Sequence, residues 1–298
     1  MQRRSFLKTI SLASAGLLAC PTSLWALESP YLVKVKGDPA LATRKAVELL
    51  GGMATFVKPG QKVVIKPNMS FSGNVDSALN THPLVVRELL LMCLEAKAGQ
   101  IRVLDHAFSN SSLSRSGILP VCNAIQDGIC FNLTQSRHYV DTNLKNAVEM
   151  SGNAVMRDVL EADVLIAVPV AKSHSSTGVS LALKGQMGLI LDRNVMHSRY
   201  NLDTSIVDLA MTLKPTLTVI DATRVLATNG PSGPGKVLRP SEIIASRDPV
   251  AADALAVASY EWYGRKIKPR QVAHLKKAHE RGLGRIDLEN LNIQNLTV

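Results

Sequence analysis

At 298 residues, 46% hydrophobic and 19% charged, the chain excludes disorder, collagen-like repeats and coiled coil, and it is long enough to bury a core without disulfide staples. The formal charge of +10 would suggest nucleic acid if it were spread evenly, but Arg3, Arg4 and Lys8 fall in the first eight residues. Residues 265–285 carry eight basic residues against Glu280 alone, so the rest of the chain is close to neutral.

Residues 1–26 read as a targeting segment, with a basic start (QRRSFLK), an apolar run from Ile10 to Ala19 and a cleavage-type stretch from Cys20 to Ala26. Arg3 and Arg4 followed by Ser5, Phe6, Leu7 and Lys8 match the twin-arginine export address, so a periplasmic or exported protein that meets the twin-arginine machinery is expected. Leu17, Leu18, Ala19 and Cys20 also resemble a lipobox, in which Cys20 is lipidated; cleavage near Ala26 is the alternative. Cleavage there leaves Cys93, Cys122 and Cys130, an odd set in which Cys122 and Cys130 could pair. No CxxC occurs, so a conventional iron–sulfur or structural zinc site has no ligand set, and other metals or cofactors stay open.

From residue 27 onward the sequence predicts a single α/β domain: an open, mostly parallel sheet with helices on both faces and a small inserted cap. In chain order, strands are predicted at 31–36, 62–66, 101–105, 164–170, 217–221 and 242–246, and helices at 39–50, 83–97, 204–213 and 249–263. Proline stands at the first turn of three of these helices, where its missing N–H costs nothing. Residues 106–160, rich in Ser, Asn and Gly, are expected to form an irregular insert, and 227–240 (ATNGPSGPGKVLRP) a surface loop.

Nearly every predicted strand ends in polar residues: Lys66 and Asn68, Asp105 and His106, Lys172 to His174, Asp221, and Arg247 with Asp248. In an open parallel sheet such ends share one edge, and ligands bind in the crevice outside it. The stretch KSHSSTGVSLALKGQMG (172–188) is the richest, and it is expected to open a helix near Val179 whose backbone N–H groups favour an anion. It lacks the spacing of a Walker A loop. Lys66, Asn68, Lys172, Ser173 and Lys184 are the expected ligand-binding residues. His174 and His106 are the expected acid/base groups, because imidazole titrates near neutrality, with Asp105 and Asp221 to orient them. Asp253, alone among small apolar residues, is expected to face a cation such as Lys66, Lys172 or Arg247. His197 lies in a polar turn that could fold over the crevice. The basic segment 265–285 reads as a helix with a solvated face or a contact for anionic lipid; 4% aromatic content and export argue against nucleic acid.

KPNMS (66–70), THP (81–83), LDH (104–106), VAKSHSSTGVSLALKGQMG (170–188), KPTLTVIDATR (214–224), NGPSGPG (229–235), SRDPVAADALA (246–256) and GLGRIDLENLNI (282–293) together resemble domain-of-unknown-function family 362. Some members carry a ferredoxin-like module with CxxCxxC runs, absent from this sequence, and exported twin-arginine members are common. The stretch from His174 to Lys184 is also similar to the basic and histidine loops of nickel-dependent lactate racemase, as an analogy only. The expectation is an exported protein that binds a small anionic organic ligand or cofactor and catalyses proton transfer or redox chemistry on it. The alternative is a non-catalytic periplasmic binding or maturation protein that uses the same crevice. Oligomeric state is not legible.

Overall fold

Side chains of a strand alternate between its two faces, so residue parity decides which layer each apolar group feeds. The computed structural model describes residues 31–298; the twin-arginine pair, Cys20 and the cleavage stretch lie outside the described residues. Val63 and Ile65 enter one core layer and Val64 the other, and Val103 against Leu104, Ile166 against Leu165, and Ile243 against Ile244 divide in the same way. Each such side chain, fully buried, contributes about 1.5–3 kcal/mol.

The chain begins with β1 (Leu32–Lys36), α1 (Pro39–Leu49), β2 (Lys62–Pro67), α2 (Pro83–Glu95) and β3 (Gln100–Asp105). The middle holds α3 (Asn110–Arg115), α4 (Ile118–Asn123), β4 (Cys130–Asn132), β5 (Tyr139–Asn143), β6 (Gly152–Met156) and α5 (Arg157–Leu160). Next come β7 (Val164–Val168), β8 (Val170–His174), β9 (Gly178–Val179), α6 (Leu181–Gly185), α7 (Asn194–Ser198) and α8 (Leu202–Thr212). Last are β10 (Leu217–Leu226), β11 (Val237–Leu238), β12 (Glu242–Ser246), α9 (Pro249–Ser259), α10 (Ala273–Glu280) and β13 (Ile293–Thr297).

The main sheet runs β13-β1-β12-β10-β7-β2-β3-β4, parallel throughout except that β12 opposes both its neighbours. Helices α1, α2 and α4 cover one face; α6, α8, α9 and α10 cover the other. The mostly parallel α/β expectation therefore holds. Helices α1, α2 and α9 start where the proline signal put them, because Asp38, His82 and Asp248 accept from the first free amides and Pro occupies the first turn. Among the described residues no helix is long and apolar enough to cross a membrane.

Several expectations need correction. Residues 106–160 are not irregular throughout: β4 extends the main sheet beside β3, and β5 pairs with β6 in a separate two-stranded ladder. The run 164–170 is two strands, because Pro169 has no N–H for the ladder. The helix expected near Val179 opens at Leu181, after the chain has turned back as the antiparallel pair β8–β9. Because β12 runs against β1 and β10, Arg247 and Asp248 end on the edge opposite the other strand tips. Helix α9 stops at Ser259 rather than running to Tyr263. The three described cysteines are buried free thiols, with Cys130 Sγ donating to Met69 Sδ at 3.9 Å.

Candidate functional site

The ends of β2 and β3 build a floor at the carboxyl edge of the sheet. Lys66 Nζ stands 3.0 Å from Asp105 Oδ1 and donates to the Pro67 carbonyl at 2.6 Å, with the two side chains 4% and 0% exposed. Asp105 Oδ2 accepts from Met69 N at 3.1 Å and Ser70 Oγ at 2.7 Å, and Oδ1 accepts from His106 N at 2.9 Å. Burial pushes the Asp105 carboxyl up, but the Lys66 charge, the Ser70 hydroxyl and the Met69 amide outweigh it and hold it below its usual value. A Cβ on Gly188 would overlap Asp105 Oδ1 and lie 2.7 Å from Lys66 Cε, so only glycine lets this strand of backbone close over the ion pair.

Above the floor is a cavity of about 170 Å³. Its wall includes Lys66, Asn68, Lys172, His174, Lys184, Arg193 and His197, with Phe71 and Phe108 at the side, and among the described residues it carries no carboxylate. Lys172 Nζ donates to the Leu79 carbonyl at 2.8 Å and lies 4.4 Å from the Phe71 ring centre. Burial pushes Lys172 down to about 7, Asp105 opposing and Lys66 and Lys184 reinforcing. Lys184 Nζ has Met187 Sδ at 2.9 Å as its polar contact; burial, with help from Arg193, pushes it down to about 8. Ser176 N donates to His174 Nδ1 at 3.1 Å, which leaves the proton of neutral imidazole on Nε2. Burial, then Lys184 and His197, push His174 down to about 3. At neutral pH it is a hydrogen-bond donor, not a proton acceptor. His197 stacks on it with centroids 6.1 Å apart, and Arg193 lies 4.4 Å from the Phe108 ring centre, which is itself 5.3 Å from Phe71.

Helix α6, which carries Lys184, enters through a strained turn: Leu181 has φ of 54°, a conformation costing about 1–3 kcal/mol for a non-glycine residue. Asp253, fully buried on α9, secures it by accepting from Ala182 N at 2.8 Å and Leu183 N at 3.0 Å. Burial pushes Asp253 up to about 8. The expected cation partner for Asp253 is thus replaced by two backbone amides, and the N–H groups expected to face an anion are taken by this carboxylate.

Of the expected site residues, Lys66, Asn68, Lys172, His174 and Lys184 line one cavity. Ser173 points the other way, as strand alternation requires, and accepts from Gly230 N at 2.9 Å. Gly230 must be glycine, because a Cβ there would overlap the Ser173 carbonyl. His106 Nδ1 meets the Ile190 carbonyl at 3.1 Å and its ring is outside the cavity wall. Neither Asp105 nor Asp221 touches an imidazole: Asp221 instead holds Arg224 at 2.6 Å, the His82 amide at 2.7 Å and Thr223. Their expected orienting role is replaced by a structural one. Sequence reasoning missed Phe71, Phe108 and Arg193; among these only Arg193 gave a signal, through the polar turn that carries His197.

A family model described as Domain of unknown function (DUF362) matches residues 63–258. A thylakoid-associated protein of Synechocystis sp. is 26% identical over 204 residues, covering 65% of this chain and 62% of that protein. The chain thus spans about three fifths of that relative's length. Among solved structures, the lactate racemase apoprotein of Thermoanaerobacterium thermosaccharolyticum aligns with a TM-score of 0.47 at 12% identity, over 83% of this chain and 56% of that one. A Thermotoga maritima protein aligns with a TM-score of 0.36 at 13% identity, over 62% and 51%.

Proposed function

The chain belongs to the DUF362 family, whose matched stretch contains every residue of the cavity wall, and on that premise we propose that the cavity binds a small organic anion. The observation that carries this reading is a wall of four cations without a carboxylate, three of them, Lys172, Lys184 and Arg193, having no carboxylate partner among the described residues. Burying an unpaired ammonium is costly, and a guest anion removes that cost. Asn68 and the Nε2–H of His174 add neutral donors, while Phe71 and Phe108 suit an apolar part of the guest.

Proton balance follows from the same geometry. With Lys172 held at about 7 and Lys184 at about 8, both amines are partly neutral near pH 7.5. An anion beside them favours the charged forms, so binding takes up protons. The proton-moving role first assigned to His174 passes to Lys172, because an imidazole held at about 3 stays neutral. Calorimetry with phosphate and with succinate at pH 7.5, in two buffers of different ionisation enthalpy, is expected to show binding with net proton uptake. Lys172→Met with Lys184→Met is expected to weaken binding at least a hundredfold. No binding of either anion, or binding untouched by the double substitution, overturns the reading.

The leader supports a second part of the proposal, export through the twin-arginine route to the periplasm. Arg3→Lys with Arg4→Lys is expected to retain the protein in the cytoplasmic fraction; unchanged export rejects it.

A further inference from the structure

The four cations of the cavity are not equivalent. Lys66 is locked to Asp105 at 3.0 Å. Arg193 is half-buried at the rim against Phe108. Lys172 is different: it is 3% exposed, its Nζ makes one hydrogen bond to a neutral acceptor, the Leu79 carbonyl, and the Phe71 face covers one side. Among the described residues it makes no salt bridge, Asp105 acting on it only at longer range, and two further lysines share its chamber. An amine that is anchored, desolvated and surrounded by like charge is favoured in its neutral, nucleophilic form. That form is well populated at neutral pH, since burial and the neighbouring lysines push Lys172 down to about 7.

We propose that Lys172 Nζ is a nucleophile that forms an imine with the carbonyl carbon of a small 2-oxo carboxylate, the carboxylate lying against Lys184 and Arg193. This rests on the anion-binding reading above and goes beyond it to a covalent step. The neutral amine attacks the carbonyl carbon, forming the C–N bond while the C=O π pair moves to oxygen, which takes up a proton. The nitrogen gives its extra proton to solvent, leaving the neutral carbinolamine. The oxygen then takes up a second proton from solvent and departs as water as the nitrogen lone pair breaks the C–O bond, and the iminium nitrogen returns its last proton to solvent. Overall one C=O becomes C=N, one water is released, and nothing is oxidised or reduced. His174, on the same wall with its proton on Nε2, can hydrogen-bond the departing oxygen while keeping that proton. Lys184 likewise makes no salt bridge among the described residues, Asp203 acting on it only at longer range, but its place beside Arg193, which reinforces its positive surroundings, suits the anion rather than the carbonyl.

The test is reductive trapping of the purified protein with cyanoborohydride and, in turn, glyoxylate, pyruvate and 2-oxoglutarate, followed by peptide mass mapping. The expected result with at least one of them is one adduct per chain, on Lys172, suppressed by excess phosphate. Lys172→Arg is expected to lose the adduct. Phosphate binding without any adduct overturns the imine and leaves anion binding standing. Adducts scattered over surface lysines, indifferent to phosphate, do the same. Absence of both adduct and phosphate binding removes the anion reading itself. Competition by phosphate is read on the unsubstituted protein, so a poorly folded variant cannot mask the outcome.

Discussion

The two edges of the sheet use similar residues to opposite ends. At the amino-terminal edge of the parallel strands a second polar hollow is lined by Tyr31, Lys214, Arg247, Asp248 and Arg285. There Asp248 accepts from the Tyr31 hydroxyl at 2.6 Å, from Val250 N and Ala251 N, and from Arg285 N at 2.7 Å. Arg285 pairs with Asp287, and Arg247 lies exposed over Phe56, donating to Leu50 and Thr55. Asp248, Arg247 and Arg285 are each answered by the protein itself, and Lys214 is exposed to solvent. At the carboxyl edge Lys66 is the one cation of the cavity wall with a carboxylate partner among the described residues, while Lys172, Lys184 and Arg193 face the cavity without one. Polar composition therefore does not separate a structural edge from a binding edge; the saturation of its charges does.

Substitutions that break this contrast are expected to differ in size and sign. The largest effect is expected for Asp105→Ala, which leaves Lys66 buried without its partner and is predicted to cost about 3–5 kcal/mol in denaturant unfolding. Gly188→Ala presses on the same pair and is expected to cost about 1–3 kcal/mol, as overpacking does. Lys172→Met has the opposite sign: removing an unpaired buried cation is expected to leave stability unchanged or raise it by about 1 kcal/mol, while anion binding falls.

A pH titration of unfolding sharpens the comparison. Lys172 and Lys184 hold folded values of about 7 and 8, below the ordinary lysine value of 10.5. Between those limits the unfolded chain binds more protons, so stability of the free protein is expected to rise with pH from about 7 to 10.5. Asp253 works in the other direction. Held at about 8 against an ordinary 3.8, it keeps its proton when folded, so its contribution is lost as pH rises through that interval. Lys172→Met is expected to flatten the alkaline rise, and Asp253→Asn the fall below it. The smallest effects belong to the margins. Phe108→Ala, at a side chain 68% exposed, is expected to change stability by less than about 0.5 kcal/mol and anion affinity by a few fold. Lys214→Ala, on the answered edge, is expected to leave anion binding unchanged.

Much of this was readable without a structure. The short β-rich apolar runs in 62–66 and 101–105 and the Asp-Pro and His-Pro helix starts are local signals, each acting within a few residues through β propensity or capping. Lys66, Lys172, His174 and Lys184 stood out because polar groups end apolar runs. What failed was non-local. Strand alternation carries no arrow, so nothing local in 242–246 shows that β12 runs backwards and takes Arg247 and Asp248 to the far edge. Asp253 meets Ala182 and Leu183 across some seventy positions of sequence, a partnership that spacing cannot encode.

The sequence by itself determined the elements, their caps, the two-layer sorting of apolar side chains and the set of polar strand ends, because these follow from periodicities and steric rules that act along the chain. Tertiary structure alone decided which of those ends are satisfied internally and which remain open to a guest. That outcome depends on strand direction, on Gly188 and Gly230 admitting close backbone, and on carboxylates brought from distant helices, and these are properties of packing in three dimensions.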